Sequence, residues 1–341
     1  MAGPVTLSDV AREADVSLAT ASRAINGSAN RTVRPELRER VLAAAERLHY
    51  SPDANAQAMA RGRTTTVGLI VHDIADPYFS SIAAGVTAAA DGLGLVVTLL
   101  TTQHQRGREQ QFVEVLQSQR ARAILIAGGR YDDPDSTAAL TEALAGYTAS
   151  GGAVALIGQP LEGVSTVSID NTGGAADLAR GMHGLGYRRF GVLAGPEGHI
   201  TARDRHHGFV AALAELGSPV PAENVVTCAF TRDGGYEGMR ELLARDTDVE
   251  LVFAVNDVMA VGAMAAARDA GREIGTDVAI AGFDDIVTLR DVNPGLTTVR
   301  LPLDELGAQA IELALAGPGG EPPVVEVAGE VVTRASTPPR A

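Results

Sequence analysis

Residue types that carry covalent chemistry are absent or rare in this 341-residue sequence. There is no lysine, so all 28 basic residues are arginines, and the chain offers neither a Schiff-base lysine nor a P-loop lysine. Cys228 is the one cysteine, which excludes an intramolecular disulfide, and its place in the apolar run NVVTCAF favours a buried thiol without chemistry. No GxSxG or HExxH motif occurs. We therefore expect no catalytic residue, metal or cofactor, and predict that the protein is not an enzyme.

Long apolar runs are also missing. None approaches the roughly 20 residues of a membrane span, and the chain does not begin with a charged segment followed by an apolar one, as a secretory signal does. These absences lead us to expect a cytoplasmic protein without a membrane partner, and they argue against a secreted carrier. What is present, 45% hydrophobic residues over 341 positions, is enough for two or three domains with apolar cores.

Charge is unevenly distributed along the chain, whose formal net charge is -14. Residues 1–63 contain nine arginines against seven acidic residues, whereas the rest of the chain contains 19 against 35. An acidic body repels DNA, while a small basic head can still bind phosphates. The distribution therefore confines any DNA binding to the N-terminal part.

The N-terminal part has the pattern of two short helices joined by a tight turn. On the first helix, apolar residues recur at spacings typical of one helix face, at Leu7, Val10, Ala11 and Ala14. Ser17 is a suitable N-cap for a second helix, which Asn26-Gly27 would end. In a helix-turn-helix the second helix enters the major groove by its N-terminal end. Spacing alone leaves an ordinary amphipathic helix pair about equally possible.

Eight segments spread over nearly the whole chain match a known family in order. They are VTLSDVAREADVSLATASRAIN, RERVLAAAERLHYSPDANAQAMARGRT, IADPYF, VSIDN, TARDRHHGF, VFAVNDVMAVGAM, IAGFDD and LTTVR. They resemble the lactose/galactose repressor (LacI/GalR) family of transcription regulators. The resemblance implies a repressor that binds a pseudopalindromic operator as a homodimer and responds to a small-molecule effector, most often a sugar. A sugar- or nucleotide-modifying enzyme with a fused DNA-binding head is the alternative.

The resemblance and the helix pattern together predict the DNA contacts. Residues 1–50, with a third helix over 34–48, would form the DNA-binding domain. Residues 51–63 would form a hinge helix, which in the family wedges an apolar side chain into the minor groove; the pattern alone also fits a flexible linker. The predicted DNA-contacting residues are Thr6, Ser17, Leu18, Ala19, Thr20, Ser22, Arg23, Asn26, Asn55, Ala56 and the wedge residue Met59.

The helix-turn-helix departs from the family pattern at its turn and at the start of its second helix. Asp15 stands where glycine is usual, and aspartate tolerates a positive φ better than most residues. Leu18 and Ala19 take the leading base-reading positions but cannot donate hydrogen bonds, so they can only contact thymine methyls or fit shape. Arg23 is then the best candidate for bidentate recognition of guanine.

From Val67 onward, apolar strand candidates alternate with helices, which is typical of an α/β fold with parallel sheets. There are about twice as many strands as one doubly wound sheet needs, so we predict a two-lobed, periplasmic-binding-protein-like core over 64–341. The resemblance implies how the chain crosses between the lobes. The predicted N-lobe covers about 64–163 and 293–323, and the C-lobe about 164–292 and 324–341.

Polar residues follow several strand candidates, and ligands bind at such strand ends. Each of these residues can instead be a helix N-cap, as for Asn171 and Asp257. The resemblance implies that Arg205 binds effector hydroxyls in a bidentate manner and that aromatic walls meet the apolar faces of a sugar. The predicted effector-binding residues are Tyr78, Phe79, Arg130, Asp170, Arg205, Phe230, Asn256 and Asp284. A purine or a phosphorylated sugar stays open, because cleft chemistry varies within one fold.

Overall fold

The computed structural model describes residues 5–26, 32–51, 62–105, 107–245, 247–317 and 320–340. The chain divides into two compact units, Met1–Thr65 and Thr66–Ala341. Within the described ranges, no helix is both long and apolar enough to span a membrane. Residues 52–61 of the predicted hinge lie outside the described residues, so the hinge helix stays a prediction.

Small side chains allow three short helices to pack closely in the first unit. These helices are α1 (Leu7–Glu13), α2 (Leu18–Asn26) and α3 (Pro35–Arg47). Their shared core consists of Val10, Ala11, Ala14, Ala21, Ala24, Val41 and Ala44. Alanine at most of these positions lets the helix backbones approach each other while their apolar faces leave water. The result is the helix-turn-helix predicted from the sequence, followed by the predicted third helix.

Local hydrogen bonds fix where the first two helices begin and how they are joined. Thr6 caps α1 in a reciprocal capping box. Ser17 Oγ accepts a hydrogen bond from the Thr20 backbone N–H at 3.1 Å, which confirms the predicted cap of α2. In the turn, Asp15 has a φ of 50°, the left-handed conformation expected there. Arg40 of α3 donates to the Asp15 carbonyl at 3.0 Å and so braces the turn.

The second unit contains a six-stranded parallel sheet with helices on both faces. Its strands are β1 (Thr66–Val71), β2 (Val96–Thr101), β3 (Ala123–Ala127), β4 (Ala153–Ile157), β5 (Ser165–Ile169) and β11 (Val324–Val327), in the order β11-β5-β4-β3-β1-β2. Its helices are α4 (Pro77–Gly92), α5 (Arg108–Ser118), α6 (Pro134–Ala149) and α11 (Leu303–Leu315). Successive strand residues face opposite sides, so Leu69 packs in the core of α4 and α11 while Ile70 packs with α5 and α6.

A four-stranded parallel sheet is built from the middle of the chain. Its strands are β6 (Phe190–Ala194), β7 (Val225–Thr227), β8 (Leu251–Ala254) and β9 (Ala279–Ala281), in the order β7-β6-β8-β9. Its helices are α7 (Asn171–Gly184), α8 (Ile200–Glu215), α9 (Arg232–Ala244) and α10 (Asp257–Asp269), with 3₁₀ turns at Ala222–Asn224 and Val287–Asp291. The antiparallel pair β10 (Thr298–Arg300) and β12 (Glu330–Val332) adjoins this sheet, since Thr297 bridges to Ala281 and Arg300 to Asp284.

The structure corrects the predicted limits of the lobes. We assigned β5 and β11 to the C-lobe, but β5 pairs with β4 and β11 pairs with β5, so both complete the first sheet. Residues 297–300, assigned to the N-lobe, adjoin β9 instead. The error has a physical reason: an apolar run indicates a strand but not the sheet that the strand joins. The chain crosses between lobes after Ile169, near Leu301 and after Val327.

Candidate functional site

Strands of both sheets end at one cleft between the two lobes. Residues that follow these strands and line the cleft are His72, His104, Gly128, Gly129 and Asn171 from the first sheet and His199, Asn256 and Asp284 from the second. The rings of Tyr78, Phe79 and Phe230 add apolar surface. Open α/β sheets bind ligands at this edge, outside the carboxyl ends of their strands.

The guanidinium of Arg205 is the most buried cation in this cleft, with the residue 2% exposed. Its Nε donates to Asn171 Oδ1 at 2.7 Å and its Nη1 to the Val255 carbonyl at 2.9 Å. Its Nη2 lies 2.8 Å from an Asp284 carboxylate oxygen. Its Cζ is 3.9 Å from the centre of the Phe283 ring, which adds a cation–π contact. Four groups therefore hold this charge in one orientation, as a buried charge requires.

Two buried carboxyl groups lie close to that cation. Burial raises the pKa of Asp284, against the attraction of Arg205. Burial also raises the pKa of Asp257 to about 6, although Thr298 Oγ1 (2.7 Å) and the Ile286 N–H (3.0 Å) donate to it. The backbone at Asp284 has a φ of 121°, a conformation that costs on the order of 1 to 3 kcal/mol outside glycine. Backbone strain and perturbed carboxyl groups together are typical of a functional site.

Two histidine side chains, His72 and His199, contribute polar and apolar surface to the cleft. His72 Nε2 donates to the Gly129 carbonyl at 2.9 Å, so its Nδ1 accepts from Thr102 Oγ1 at 3.0 Å. His199 stacks on Phe230 with ring centres 4.6 Å apart. Burial lowers the pKa of His72 and lowers that of His199 to about 3, so both rings are neutral at pH 7. Among the residues that the structure describes, no group of His, Cys, Asp and Glu is arranged to hold a metal ion.

Loops after β3 and β6 bond to each other across the cleft. The Ile200 N–H donates to the Arg130 carbonyl at 2.9 Å, and the Asp132 N–H donates to the Gly198 carbonyl at 2.7 Å. Arg203 pairs with Asp132 at 3.1 Å. The space enclosed by the cleft is about 30 Å³, far below the roughly 300 to 1,000 Å³ of small-molecule sites. An organic ligand therefore enters only when the lobes or the lining side chains move.

Six of the eight predicted effector-binding residues line this cleft. They are Tyr78, Phe79, Arg205, Phe230, Asn256 and Asp284. The other two do not line it, and their part in effector binding stays a prediction. Arg130 instead donates from Nη1 and Nη2 to the carbonyls of Gln159 (2.8 Å) and Pro160 (3.0 Å). Asp170 caps α7, because its carboxylate accepts from the Gly173 N–H at 2.7 Å.

Several cleft residues are absent from the sequence-based prediction. They are His72, Asp76, His104, Asn171, His199 and Thr201. The strand-end rule could have found His72 and His104, since each follows an apolar strand by one to three residues. Asn171, for which a helix cap is the alternative interpretation, instead accepts from Arg205. Its neighbour Asp170 takes the cap, which is the alternative that the sequence left open for residues after a strand.

The outward side of α2 exposes residues that the helix-turn-helix pattern assigns to DNA. Leu18 is 51% exposed, and Ala19 is exposed beside it. The hydroxyls of Ser17 and Thr20 bond to each other at 2.8 Å. Arg23 has no hydrogen-bond or ion-pair partner within the described part of the chain. Its guanidinium therefore gives up no contact with these residues when it binds a base.

Other predicted DNA contacts have roles within the head. Thr6 caps α1, and Asn26 Nδ2 donates to Ser22 Oγ at 3.3 Å. The predicted hinge contacts Asn55, Ala56 and Met59 lie outside the described residues.

A helix-turn-helix head and a cleft between two parallel sheets define a DNA-binding protein with a ligand-binding core of the periplasmic-binding-protein type. Residues 6–53 match the family described as bacterial regulatory proteins, lacI family. Residues 64–316 match the family described as periplasmic binding proteins and sugar binding domain of LacI family. The chain belongs to the LacI family of bacterial regulatory proteins. It is a DNA-binding transcription regulator and not an enzyme.

Relatives and solved structures match over almost the full length. The transcriptional regulator GalR of Escherichia coli (strain K12) is 36% identical over 313 residues, which are 91% of this chain and 88% of the relative. GalS of Salmonella typhimurium (strain LT2) is 35% identical over 318 residues, 93% of this chain and 91% of the relative. The CelR–cellobiose complex has a TM-score of 0.71 at 31% identity, covering 97% of this chain and 99% of that chain. The lac repressor bound to ONPG shares the fold, with a TM-score of 0.82 at 24% identity. The match covers 98% of this chain and 100% of that chain.

Proposed function

We propose that this protein is a homodimeric repressor in the cytoplasm. It binds pseudopalindromic operator DNA through α2 and changes its operator affinity when a sugar binds between the lobes. The observation that carries the proposal is buried Arg205, which is held by Asn171 and Asp284 in a cleft with aromatic walls. Two heads on one dimer match two half-sites about one helical turn, or a multiple of it, apart.

A sugar matches the chemistry of this cleft better than an apolar ligand does. Its hydroxyls need closely spaced donors and acceptors, which Arg205, Asn256 and Asp284 offer. Its apolar ring face needs a flat apolar surface, which Phe230 offers. The neutral ring of His199 stacks on Phe230 and lines the same cleft. The sugar-binding description of the matching domain and the cellobiose in the CelR complex support the same ligand class.

The size of the cleft connects ligand binding to conformation. Because about 30 Å³ is too small for a sugar, a sugar binds only to a conformation in which the cleft is wider. A ligand shifts an equilibrium by its difference in affinity for the two states. A coupling of about 1 to 3 kcal/mol, or roughly 5- to 150-fold in operator affinity, is enough for regulation.

A sugar panel tests the proposal. Thermal unfolding is measured with D-galactose, D-ribose and cellobiose, and operator affinity is measured by fluorescence anisotropy on sequences selected from a random DNA pool. We expect at least one carbohydrate to raise the Tm and to change operator affinity by about fivefold or more. A protein that shows neither response to any of them, or that converts a sugar to product, contradicts the proposal.

A further inference from the structure

The first lobe contains two further pockets, one beside the cleft and one farther out. The side pocket, of about 50 Å³, shares the wall formed by His72, His104 and Gly129 with the cleft. The outer pocket, of about 260 Å³, lies between the N-terminal ends of α5 and α6 and shares Glu109 and Ser136 with the side pocket. Three spaces therefore follow one another from the cleft outward through this lobe.

The side pocket contains polar groups that the described protein leaves without partners. Burial raises the pKa of Glu109, against the attraction of Arg130. No hydrogen bond or ion pair to the Glu109 carboxyl group is found within the described ranges. Arg130 uses Nη1 and Nη2 on two carbonyls, while its buried Nε has no partner there.

The buried Arg130 Nε is the costly group, because a buried polar atom without a hydrogen bond is uncommon. Glu109 is half-buried, and its carboxylate oxygens still reach solvent. The carboxylate of Glu109 can only accept hydrogen bonds, and Arg130 Nε can only donate one. A hydroxyl does both. A ligand with several hydroxyls therefore satisfies both residues at once, whereas a purely anionic ligand is repelled by Glu109.

One part of the wall between the cleft and the side pocket is fixed and the other is movable. His72 is bonded through both ring nitrogens, to Thr102 and Gly129. His104 is exposed, and its contact within the described chain is a ring stack on His72 with centres 5.1 Å apart. Rotation of His104 therefore joins the two spaces at the cost of one ring contact.

We propose that the effector is a carbohydrate of two or more units. The first unit binds at Arg205, and the next passes His104 into the side pocket, where Glu109 accepts its hydroxyl hydrogen bonds. This inference rests on the proposed function and specifies its ligand class. The outer pocket approaches the lower end of the roughly 300 to 1,000 Å³ typical of small-molecule sites, and it gives a second unit the room that the cleft alone lacks. A monosaccharide at Arg205 leaves the buried Arg130 Nε without a partner among the described residues.

Calorimetric titration of matched sugars tests this extended site. The probes are D-glucose against cellobiose and D-galactose against lactose. We expect at least one disaccharide to bind about tenfold or more tightly than its component monosaccharide. Glu109→Gln removes the charged acceptor, and Ser136→Phe fills the space that the side and outer pockets share. Both variants should reduce the disaccharide advantage below about threefold and leave monosaccharide affinity unchanged.

A matched control comes from the same helix. Glu114 lies on the exposed side of α5, so Glu114→Gln should keep the full advantage. A disaccharide without advantage over its monosaccharide, or an advantage that survives Ser136→Phe, overturns the extended site and leaves the sugar-responsive regulator standing. If sugars of neither size bind or change operator affinity, the proposed function fails, and the extended site fails with it.

Discussion

The recognition helix and the cleft present their polar groups in opposite ways. On α2, Leu18 is exposed and Arg23 has no partner within the described chain. In the cleft, Arg205 is 2% exposed and is bonded to Asn171 and paired with Asp284. The surface for DNA is therefore ready for its ligand, whereas the cleft has to exchange internal contacts for contacts with the effector.

This difference matters for regulation. An exchange of hydrogen bonds has a small net free energy, about 1 kcal/mol for each bond. When the polar groups of a site already have hydrogen-bond partners within the protein, ligand binding therefore gains only a modest free energy. The site changes conformation as those partners are exchanged. The coupling that regulation needs, about 1 to 3 kcal/mol, is of the same size. A surface that is exposed in advance supplies affinity for DNA, and the cleft supplies the change in that affinity.

The strongest test of this comparison removes the buried cation. Arg205→Ala leaves the Asp284 carboxyl group buried without its partner, so we expect a loss of about 3 to 5 kcal/mol in the free energy of unfolding and loss of any sugar response. Urea unfolding and sugar-dependent Tm shifts measure the two effects. Arg240→Ala removes an exposed cation that pairs with Glu237 and should cost less than about 1 kcal/mol. An Arg205→Ala protein with normal stability and response would show that the internal contacts of the cleft are unimportant.

The buried carboxyl group of Asp257 gives a pH-dependent test. Its pKa is about 6 in the folded protein, against an ordinary value of 3.8. Between about pH 4 and 6 the folded protein therefore holds a proton that the unfolded chain has released, and the stability from this group is lost as the pH rises through that window. This difference in pKa between the folded and unfolded states changes the free energy of unfolding by at most about 3 kcal/mol.

Asp257→Asn removes this titration. We expect the free energy of unfolding of the unmodified protein, relative to that of Asp257→Asn, to fall as the pH rises from 4 to 6 and then to stay level. Urea unfolding across that range measures it. Asp177→Asn, which changes an exposed partner of Arg180, should show no comparable trend. A constant difference between the unmodified protein and Asp257→Asn would mean that burial does not hold the proton on Asp257.

The sequence predicts local structure well because local structure depends on neighbouring residues. The Ser17 cap and the left-handed Asp15 follow from contacts within a few positions. The lobe of β11 does not, since its pairing with β5 joins residues more than 150 positions apart. Arg130 stands at a strand end as predicted, but the carbonyl of Gln159, 29 residues later, turns its side chain away from the cleft. The predicted residues that line the cleft come from positions matched to the family, whereas the partners of Arg205 became visible only in the fold.

A smaller effect is expected on the DNA-binding helix α2. Arg23→Ala should lower the preference for operator over random DNA by about 10- to 100-fold, because one bidentate contact to guanine contributes about 1 to 3 kcal/mol of discrimination. Effector binding should be unchanged. Fluorescence anisotropy with both kinds of DNA measures the ratio. Arg12→Ala, at an exposed position of α1 paired with Asp9, should lower affinity for both DNAs alike, if it lowers either. Full preference in Arg23→Ala would show that another residue reads the bases.

The smallest effect is expected at the turn that orients α2. Asp15 has a φ of 50°, which glycine adopts without steric cost. Asp15→Gly relieves strain of about 1 kcal/mol or more but adds about 0.4 to 1 kcal/mol of unfolded-state entropy, so a net gain below about 1 kcal/mol is expected. Asp15→Ala should lose a similar amount, because alanine lacks the short polar side chain that makes this conformation tolerable.

Both variants keep the main-chain carbonyl that accepts from Arg40, so they differ in backbone freedom and not in this bracing contact. Native-state hydrogen exchange of the α2 amides in the full chain reads local opening of the head without unfolding the core. Exchange should slow in Asp15→Gly and accelerate in Asp15→Ala. Equal exchange in the two variants would mean that the turn carries no strain. The pre-formed DNA surface would then depend on helix packing and the Arg40 contact alone.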